Sequence, residues 1–359
     1  MRHGFLLFAL LLTACSGTPD APMQAERVEP QGDEEIRAVW ITNVDSDVLF
    51  SEQGIVDAVA KLDEAGFNVL FPVVWNKGMT LYPSDVAERT IGIRIDTTLA
   101  PGHDPLEIVL REGHKYGMKV IPWFEFGFAS SYNEGGGHIL RLYPDWAARD
   151  VSGGLLTKNN FEWMNGLHPD VQDFLLGMID EVLTRYDVDG IQGDDRLPAM
   201  PSHGGYSDYS VGLYRSEHGG AMPPDDPRDP AFVQWKADKL SDFGGRLYRT
   251  VKSHGADKIV SLSPSIYPWS HDEYLQDWPE WIERGQVDWL HPQNYRYSID
   301  RYESTLDETI QYFNMAGGRV SDVKMAPGIL VKAGSRFNGP SYVRQAMQLH
   351  RDTELDGEA

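Results

Sequence analysis

The feature that most restricts what this 359-residue chain can fold into is a repeated alternation of two patterns. Seven near-continuously apolar, β-rich runs occur at Ile36–Val44, Phe67–Trp75, Lys119–Phe128, Asp189–Asp194, Lys258–Tyr267, Val287–Tyr295 and Lys324–Val331. Strands apolar on both faces are strands covered on both faces, the condition of a parallel sheet clothed in helices. Between them lie helical patterns. The clearest is Val171–Tyr186, where Val171, Phe174, Leu175, Met178, Ile179, Val182, Leu183 and Tyr186 follow i, i+3, i+4, i+7 spacing, with Asp170 as the expected N-cap. Asp104-Pro105 opens another helix, and further helices are expected over Glu52–Ala65, Ala231–His254, Glu273–Arg284, Arg301–Met315 and Ser341–Arg351. Seven such repeats predict a (β/α)8 TIM-type barrel more than a doubly wound sheet, and no glycine-rich phosphate loop follows the first strand. An eighth strand is expected to be missing, as in a sequence truncated at its C-terminus, with Leu355–Ala359 at most the approach to it.

The N-terminus reads as an address. Arg2 and His3 precede an apolar run, Phe5–Leu12, too short to span a bilayer. Leu12-Thr13-Ala14-Cys15 resembles a bacterial lipobox, which makes residues 1–14 a signal peptide and Cys15 the lipidated residue; the alternative is an ordinary secretory signal with an incidental cysteine. Ser16 at the next position favours the outer membrane, facing the periplasm. Residues 15–33 have the composition of a flexible tether, and 34–359 form the folded domain. A lone cysteine excludes an intrachain disulfide. The 54 acidic against 32 basic residues, a net charge of −22, exclude nucleic acid and anionic lipid surfaces as electrostatic partners, and are compatible with a neutral or cationic polymer. Ten Trp and sixteen Tyr supply flat amphipathic faces on which sugar rings stack. A monomer is expected.

Three connections are long, Asn76–His103, Ala129–Pro169 and Arg196–Pro230, and all follow the carboxyl ends of strands, where barrel enzymes place their chemistry. Gly135-Gly136-Gly137 and Gly204-Gly205 suggest that parts of them move. Strand four ends in Asp194-Asp195, and clustered like charges are costly to desolvate. Successive strand side chains alternate faces, so one of the pair is expected to aim into the mouth while the other holds an Arg, with Arg196 or Arg149 as candidates. Glu125 sits among aromatics near the exit of strand three, where an apolar surround raises a carboxyl pKa toward that of a general acid. Alternatives are bracing carboxylates, or a pair that ligates calcium or magnesium. No metal loop, HExxH or G-x-S-x-G pattern is present, and neither metal nor cofactor is expected. Candidate sugar-contacting residues are Trp40, Trp75, Trp123, His168, Tyr267, Trp269, His291, Gln293, Asn294, Tyr295 and Arg296.

The ordered set Glu35-Ile-Arg-Ala-Val-Trp-Ile-Thr42, Gly66-Phe-Asn-Val-Leu70 running into Pro72-Val-Val-Trp75, Pro122-Trp-Phe-Glu-Phe-Gly127, Leu167-His-Pro169, Tyr186-Asp-Val-Asp-Gly-Ile191 with Asp194-Asp195, and His291-Pro-Gln-Asn-Tyr-Arg296 resembles the glycosyl-hydrolase-like family ten over residues 34–355. The resemblance implies a bacterial barrel glycoside hydrolase, often a lipoprotein, with peptidoglycan glycan strands as substrate for some members. Arg196-Leu197 departs from that family's aromatic after the acid pair. The expected activity is hydrolysis of an amino-sugar polymer, peptide-free peptidoglycan glycan foremost, with Glu125 as general acid and Asp195 or Asp194 as base or nucleophile. The alternatives are hydrolysis of a poly-N-acetylglucosamine-type exopolysaccharide and a non-catalytic glycan-binding lipoprotein.

Overall fold

The computed structural model describes residues 35–359; the signal segment, Cys15 and the tether lie outside them. Eight parallel strands carry the architecture: β1 Ile36–Ile41, β2 Val69–Pro72, β3 Lys119–Val120, β4 Gly190–Gly193, β5 Ile259–Leu262, β6 Trp289–Leu290, β7 Lys324–Met325 and β8 Gly357–Glu358. They form two four-stranded sheets, ordered β8-β1-β2-β3 and β7-β6-β5-β4. Backbone hydrogen bonds cross both seams. Phe124 N–H donates to Gln192 O and Gln192 N–H to Pro122 O, each at 2.9 Å, while Asp356 N–H donates to Met325 O at 3.0 Å and Ile329 N–H to Ala359 O at 2.8 Å.

The eighth strand therefore corrects the expectation of its absence: Gly357 and Glu358 pair in parallel with Ile36 and Arg37. Two residues are too short a run to show periodicity, which is why the sequence pattern passes over them.

Seven helices connect the strands: α1 Glu52–Glu64, α2 Pro105–Lys115, α3 Pro169–Arg185, α4 Pro230–Ser253, α5 Trp278–Glu283, α6 Ile299–Met315 and α7 Pro340–Asp352. Pro at the first turn opens α2, α3, α4 and α7, where its missing N–H leaves no intrahelical bond unmade. The α3 cap is His168, whose Nδ1 accepts the Asp170 N–H at 3.2 Å, so Asp170 lies inside the first turn instead of capping it. The helix expected over Glu273–Arg284 is broken: Trp269–Tyr274 ends at Leu275 with φ of 61°, and α5 restarts beyond it. Pro279 cannot donate to the carbonyl four residues back and would clash with it, so one continuous helix is excluded.

Two apolar layers result. The large one lies between strands and helices and includes Trp75, Phe124, Phe128, Phe174 and Leu240. The small one occupies the inner face of the strands, with Ile36, Ala38, Val69, Phe71, Ile121, Ile259, Trp289 and Ala326. These positions set the register: residues two apart along a strand share its face, so Trp123 and Glu125 follow Ile121 inward, and Asp194 follows Gln192.

The long connections are structured. The first holds a hairpin, Trp75–Asn76 with Met79–Thr80, and the helix Asp85–Ile91; the second a three-stranded antiparallel sheet of Ala129–Tyr132, Phe161–Trp163 and Thr157–Lys158; the third the helix Asp208–Glu217. The Gly204 carbonyl accepts the buried Lys236 ammonium at 3.0 Å, which ties this part of the third connection to α4.

Candidate active site

At the carboxyl end of the strands three carboxyl groups gather around one guanidinium. Arg196 places Nη2 2.9 Å from Asp194 Oδ2 and 3.5 Å from Glu125 Oε1, and Nη1 3.0 Å from Asp195 Oδ1. Its Nε donates to the Glu125 carbonyl at 2.7 Å, and its Cζ lies 4.9 Å from the Phe161 ring centroid. This close approach demands Gly127. Its φ is +46°, and a Cβ there would collide with the Arg196 carbonyl that accepts the Phe128 N–H.

The three acids are held differently. Asp194 is 3% exposed and has both oxygens engaged: Oδ1 accepts the Arg196 N–H at 2.9 Å, and Oδ2 accepts the Trp123 indole N–H at 3.1 Å as well as the guanidinium. Asp195 has a side chain 27% exposed and pairs through Oδ1. Glu125 Oε2 accepts from Asn76 Nδ2 at 2.7 Å, and Asn76 Nδ2 also reaches Asn43 Oδ1 at 2.7 Å. Because Glu125 Oε1 and Asp194 Oδ2 share one nitrogen, those oxygens are no further apart than the sum of the two distances, about 6.4 Å.

The charge balance of this cluster favours a bound proton. Burial raises the Glu125 pKa to about 6; Arg196 pulls it down, while Asp195 pushes it further up. Burial likewise pushes Asp194 well above the ordinary carboxylate range, against the pull of Arg196. Burial would lower the Arg196 pKa, but Asp194, Asp195 and Glu125 together raise it, so the guanidinium stays charged. One cation cannot neutralise three carboxylates in a water-poor site.

A cavity of about 840 Å³ opens beside the cluster, with Trp40, Asn76, Lys77, Trp123, Glu125 and Tyr295 among its walls, and continues along the edge of β1. Tyr295 is half-buried, and burial with the nearby Asp195 and Asp194 raises its pKa. On another side of the acid pair Tyr274 accepts from Asn159 Nδ2 at 2.8 Å; burial and Asp195 push its hydroxyl up to about 12. Trp269, 46% exposed, packs 5.4 Å from Tyr274, and Lys158 Nζ sits 4.2 Å from the Tyr274 ring centroid while pairing with Glu273 at 2.5 Å.

Of the residues singled out from sequence, the structure brings Glu125, Asp194, Asp195, Trp123 and Tyr295 together, with Trp40 in the same cavity and Trp269 at the rim. Others are corrected. Trp75 is fully buried against Phe174, with its indole N–H on the Gly127 carbonyl at 3.1 Å, so it braces strand against helix. His168 caps α3 and packs on Tyr209. His291 is buried on the inner face against Phe71 and Trp40; its Nδ1–H donates to the Ala326 carbonyl at 2.8 Å, and burial lowers its pKa to about 4, a neutral imidazole. Asn294 is buried and donates to the Tyr302 carbonyl, Arg296 is spent on Thr305 and the Tyr295 carbonyl, and Gln293 donates to the Ser263 carbonyl. Tyr267 packs between Trp278 and Tyr312. Asn76 and Tyr274 carry no sequence motif; a polar residue at a strand exit was the available sign for Asn76.

Among the described residues no group of three His, Cys, Asp or Glu side chains is arranged to hold a metal, and no helix is long and apolar enough to cross a membrane.

Comparison with known proteins fits this geometry. The glycosyl hydrolase-like 10 family matches residues 35–319. The chain is 25% identical to the glycosyl hydrolase DigH of Escherichia coli strain K12, over 80% of this chain and 73% of DigH, and 23% identical to the glycosyl hydrolase YngK of Bacillus subtilis, over 90% of this chain and 67% of YngK. In fold it is similar to the PgaB (BpsB) glycoside hydrolase domain of Bordetella bronchiseptica, with a TM-score of 0.65 at 13% identity covering 90% of this chain and 92% of that one. It is also similar to the catalytic domain of β-amylase from Paenibacillus polymyxa, with a TM-score of 0.59 at 11% identity covering 91% and 92%. Strands, carboxyl cluster and sequence kinship agree, and the chain belongs to the glycosyl hydrolase-like 10 family, a glycoside hydrolase by that membership.

Proposed function

We propose that this chain hydrolyses a cell-envelope amino-sugar polymer, peptide-free peptidoglycan glycan foremost, at the mouth of a (β/α)8-type barrel. The observation that carries the reading is the Glu125 carboxyl, raised to about 6 and lining a cavity with aromatic walls beside a second carboxyl. A group that holds its proton up to about pH 6 can donate it to a glycosidic oxygen as the bond breaks. Asp195 is the second carboxyl, as base or nucleophile, because it keeps exposure and an oxygen outside its ion pair. Asp194, with both oxygens engaged, is a positioning residue that orients Arg196 and Trp123. Trp40, Trp123 and Tyr295 form the sugar-facing walls and Trp269 a rim platform. Attachment to the outer membrane through a lipid on Cys15 belongs to the same reading, and loss of labelled palmitate from Cys15→Ala would be its signature.

The net charge of −22 favours a second reading, hydrolysis of a partly deacetylated, cationic exopolysaccharide. The deciding experiment incubates the purified chain with stripped sacculi and with that polymer and reads the fragments by mass spectrometry. Release of hydrated ends from sacculi, lost in Glu125→Gln and Asp195→Asn, is expected. Anhydro ends would replace hydrolysis by lytic cleavage. Retention on sacculi that survives both substitutions but not Trp269→Ala, with no fragments, would leave a glycan-binding protein.

A further inference from the structure

Lys77 faces the Glu125 cavity: its side chain is exposed, among the described residues it makes no ion pair, and its charge acts on Glu125 only at longer range, pulling that carboxyl's pKa down. Its backbone is not free. Lys77 and Gly78 have φ of 52° and 69° at the tip of the tight hairpin joining Trp75–Asn76 to Met79–Thr80, the positive angles such a two-residue turn demands. Gly78 is locked there, since a Cβ would lie 2.9 Å from the His138 ring and 3.1 Å from the Ser130 carbonyl. The Lys77 N–H donates to Asn76 Oδ1 at 2.8 Å, and the same Asn76 amide holds Glu125. One residue thus couples the position of the lysine to the position of the carboxyl.

The surroundings say what that ammonium meets. Asp45, Glu125 and Glu358 line the same cavity, and Asp194 and Asp195 stand beside it. Arg196 is consumed by three acids, and Arg37 by Glu35 at 3.5 Å; Lys332, the other lysine lining the cavity, lies on the separate Lys332–Ala333 hairpin strand, while Lys77 is the lysine tied to Glu125 through Asn76. A cationic sugar would be drawn in by the acids alone and repelled by a lysine; an anionic sugar would be repelled by the acids and needs a cation close to its charge.

We infer that Lys77 is a specificity-determining residue that pairs with a carboxylate carried by the sugar ring next to the scissile bond, so the site selects a carboxylated amino-sugar polymer over a cationic one. The inference rests on the glycan-hydrolase reading above and deepens it. The ammonium supplies one charged hydrogen bond in the bound complex, formed equally in ground and transition states, and its loss falls on KM more than on kcat.

The test is a cycle of two changes: Lys77→Met in the protein and reduction of the carboxylates to alcohols in the glycan. Lys77→Met raises KM for the carboxylated glycan roughly tenfold, the size of one charged hydrogen bond. Lys77→Arg restores most of it. The two removals do not add: once the carboxylates are reduced, Lys77→Met shifts KM far less. Equal shifts on both polymers, or a lower KM for the carboxylated one in Lys77→Met, overturn the inference. Binding of both polymers to Glu125→Gln, with and without Lys77→Met, is read by calorimetry in parallel. Coupling in binding without any hydrolysis by the wild-type chain keeps the role of Lys77 and removes the hydrolytic reading. Hydrolysis without coupling does the reverse.

Discussion

Arg196 begins the connection between β4 and α4 and Lys236 lies in α4 just beyond its end, both withdrawn from water, and the fold treats them in opposite ways. Arg196 is ringed by three carboxyl groups, and its charge is secured. Lys236 is fully buried and makes no ion pair among the described residues. Its ammonium donates to the carbonyls of Ser202, Gly204 and Pro227, the last two at 3.0 and 3.2 Å, and lies 4.1 Å from the Phe232 ring centroid. Burial alone pulls its pKa down to about 7. The first cation organises a site that carries more negative charge than it can neutralise. The second pins a loop with dipoles and tolerates losing its proton. The carboxyl cluster carries the excess charge, and Lys236 is held by carbonyls.

The comparison can be broken at several points. Glu125→Gln should lower turnover by about 10²–10⁴, the usual worth of a general acid, with folding intact by circular dichroism; retained activity would dissolve the distinction between the two ends. Arg196→Met leaves three carboxyls without their cation and should cost about 3–5 kcal/mol in denaturant unfolding, the range for breaking a buried pair from one side. Lys236→Met, by contrast, should leave the chemistry standing. Glu125 gives a third, opposite effect. Its folded pKa of about 6 lies above the 4.5 of a free glutamate, so its favourable contribution is full below pH 4.5 and is lost as pH rises through 6. Glu125→Gln should therefore stabilise the protein at pH 7–8 by up to about 2 kcal/mol and make no difference at pH 4.5. A variant that is inactive yet harder to melt would mark Glu125 as a group kept for function at the expense of stability. The smallest effect concerns Lys236. Its pKa of about 7 lies below the unfolded 10.5, so the unfolded chain binds more protons between those values and stability rises with pH across that window. The three carbonyls favour the ammonium and shrink the gain, which should still reach about 1 kcal/mol over Lys236→Met between pH 7 and 10. A flat difference would show that the carbonyls compensate the buried charge in full.

Much of this site was legible residue by residue. Glu125 and the acid pair announce themselves because ionisable groups at the ends of apolar strands are rare unless used. The alternation of strand faces predicted a split, one aspartate in the mouth and the other on an arginine; instead both pair with Arg196, and they differ in exposure, Asp194 buried and Asp195 partly open. Aromatic and polar residues were harder to sort. Trp75 and Trp123 both lie near strand exits, yet one is core and the other a cavity wall. Their sequence surroundings are equally apolar, and only the direction of the chain after Pro72 and Pro122 separates them. The residues 291–296 read as a row of sugar-binding donors, but four of the five give a donor group to a backbone carbonyl or a threonine, because the segment folds back on its neighbours as it leaves the strand; His291 Nε2 and Asn294 Oδ1 stay buried without a hydrogen-bond partner among the described residues.

What the sequence determined by itself was the alternation of strands and helices, the long connections at the carboxyl ends of the strands, and the acids at the strand ends, because periodicity and burial of charge are local and compositional properties. The tertiary structure decided the rest. It supplied an eighth strand two residues long, visible only through its pairing with β1. It turned the arginine that departs from the family pattern into the common partner of three carboxyls, and it aimed Lys77 at the cavity through a turn fixed by a histidine 61 positions away in the chain. Those outcomes depend on distances between residues far apart in sequence, which the order of residues along the chain does not encode one at a time.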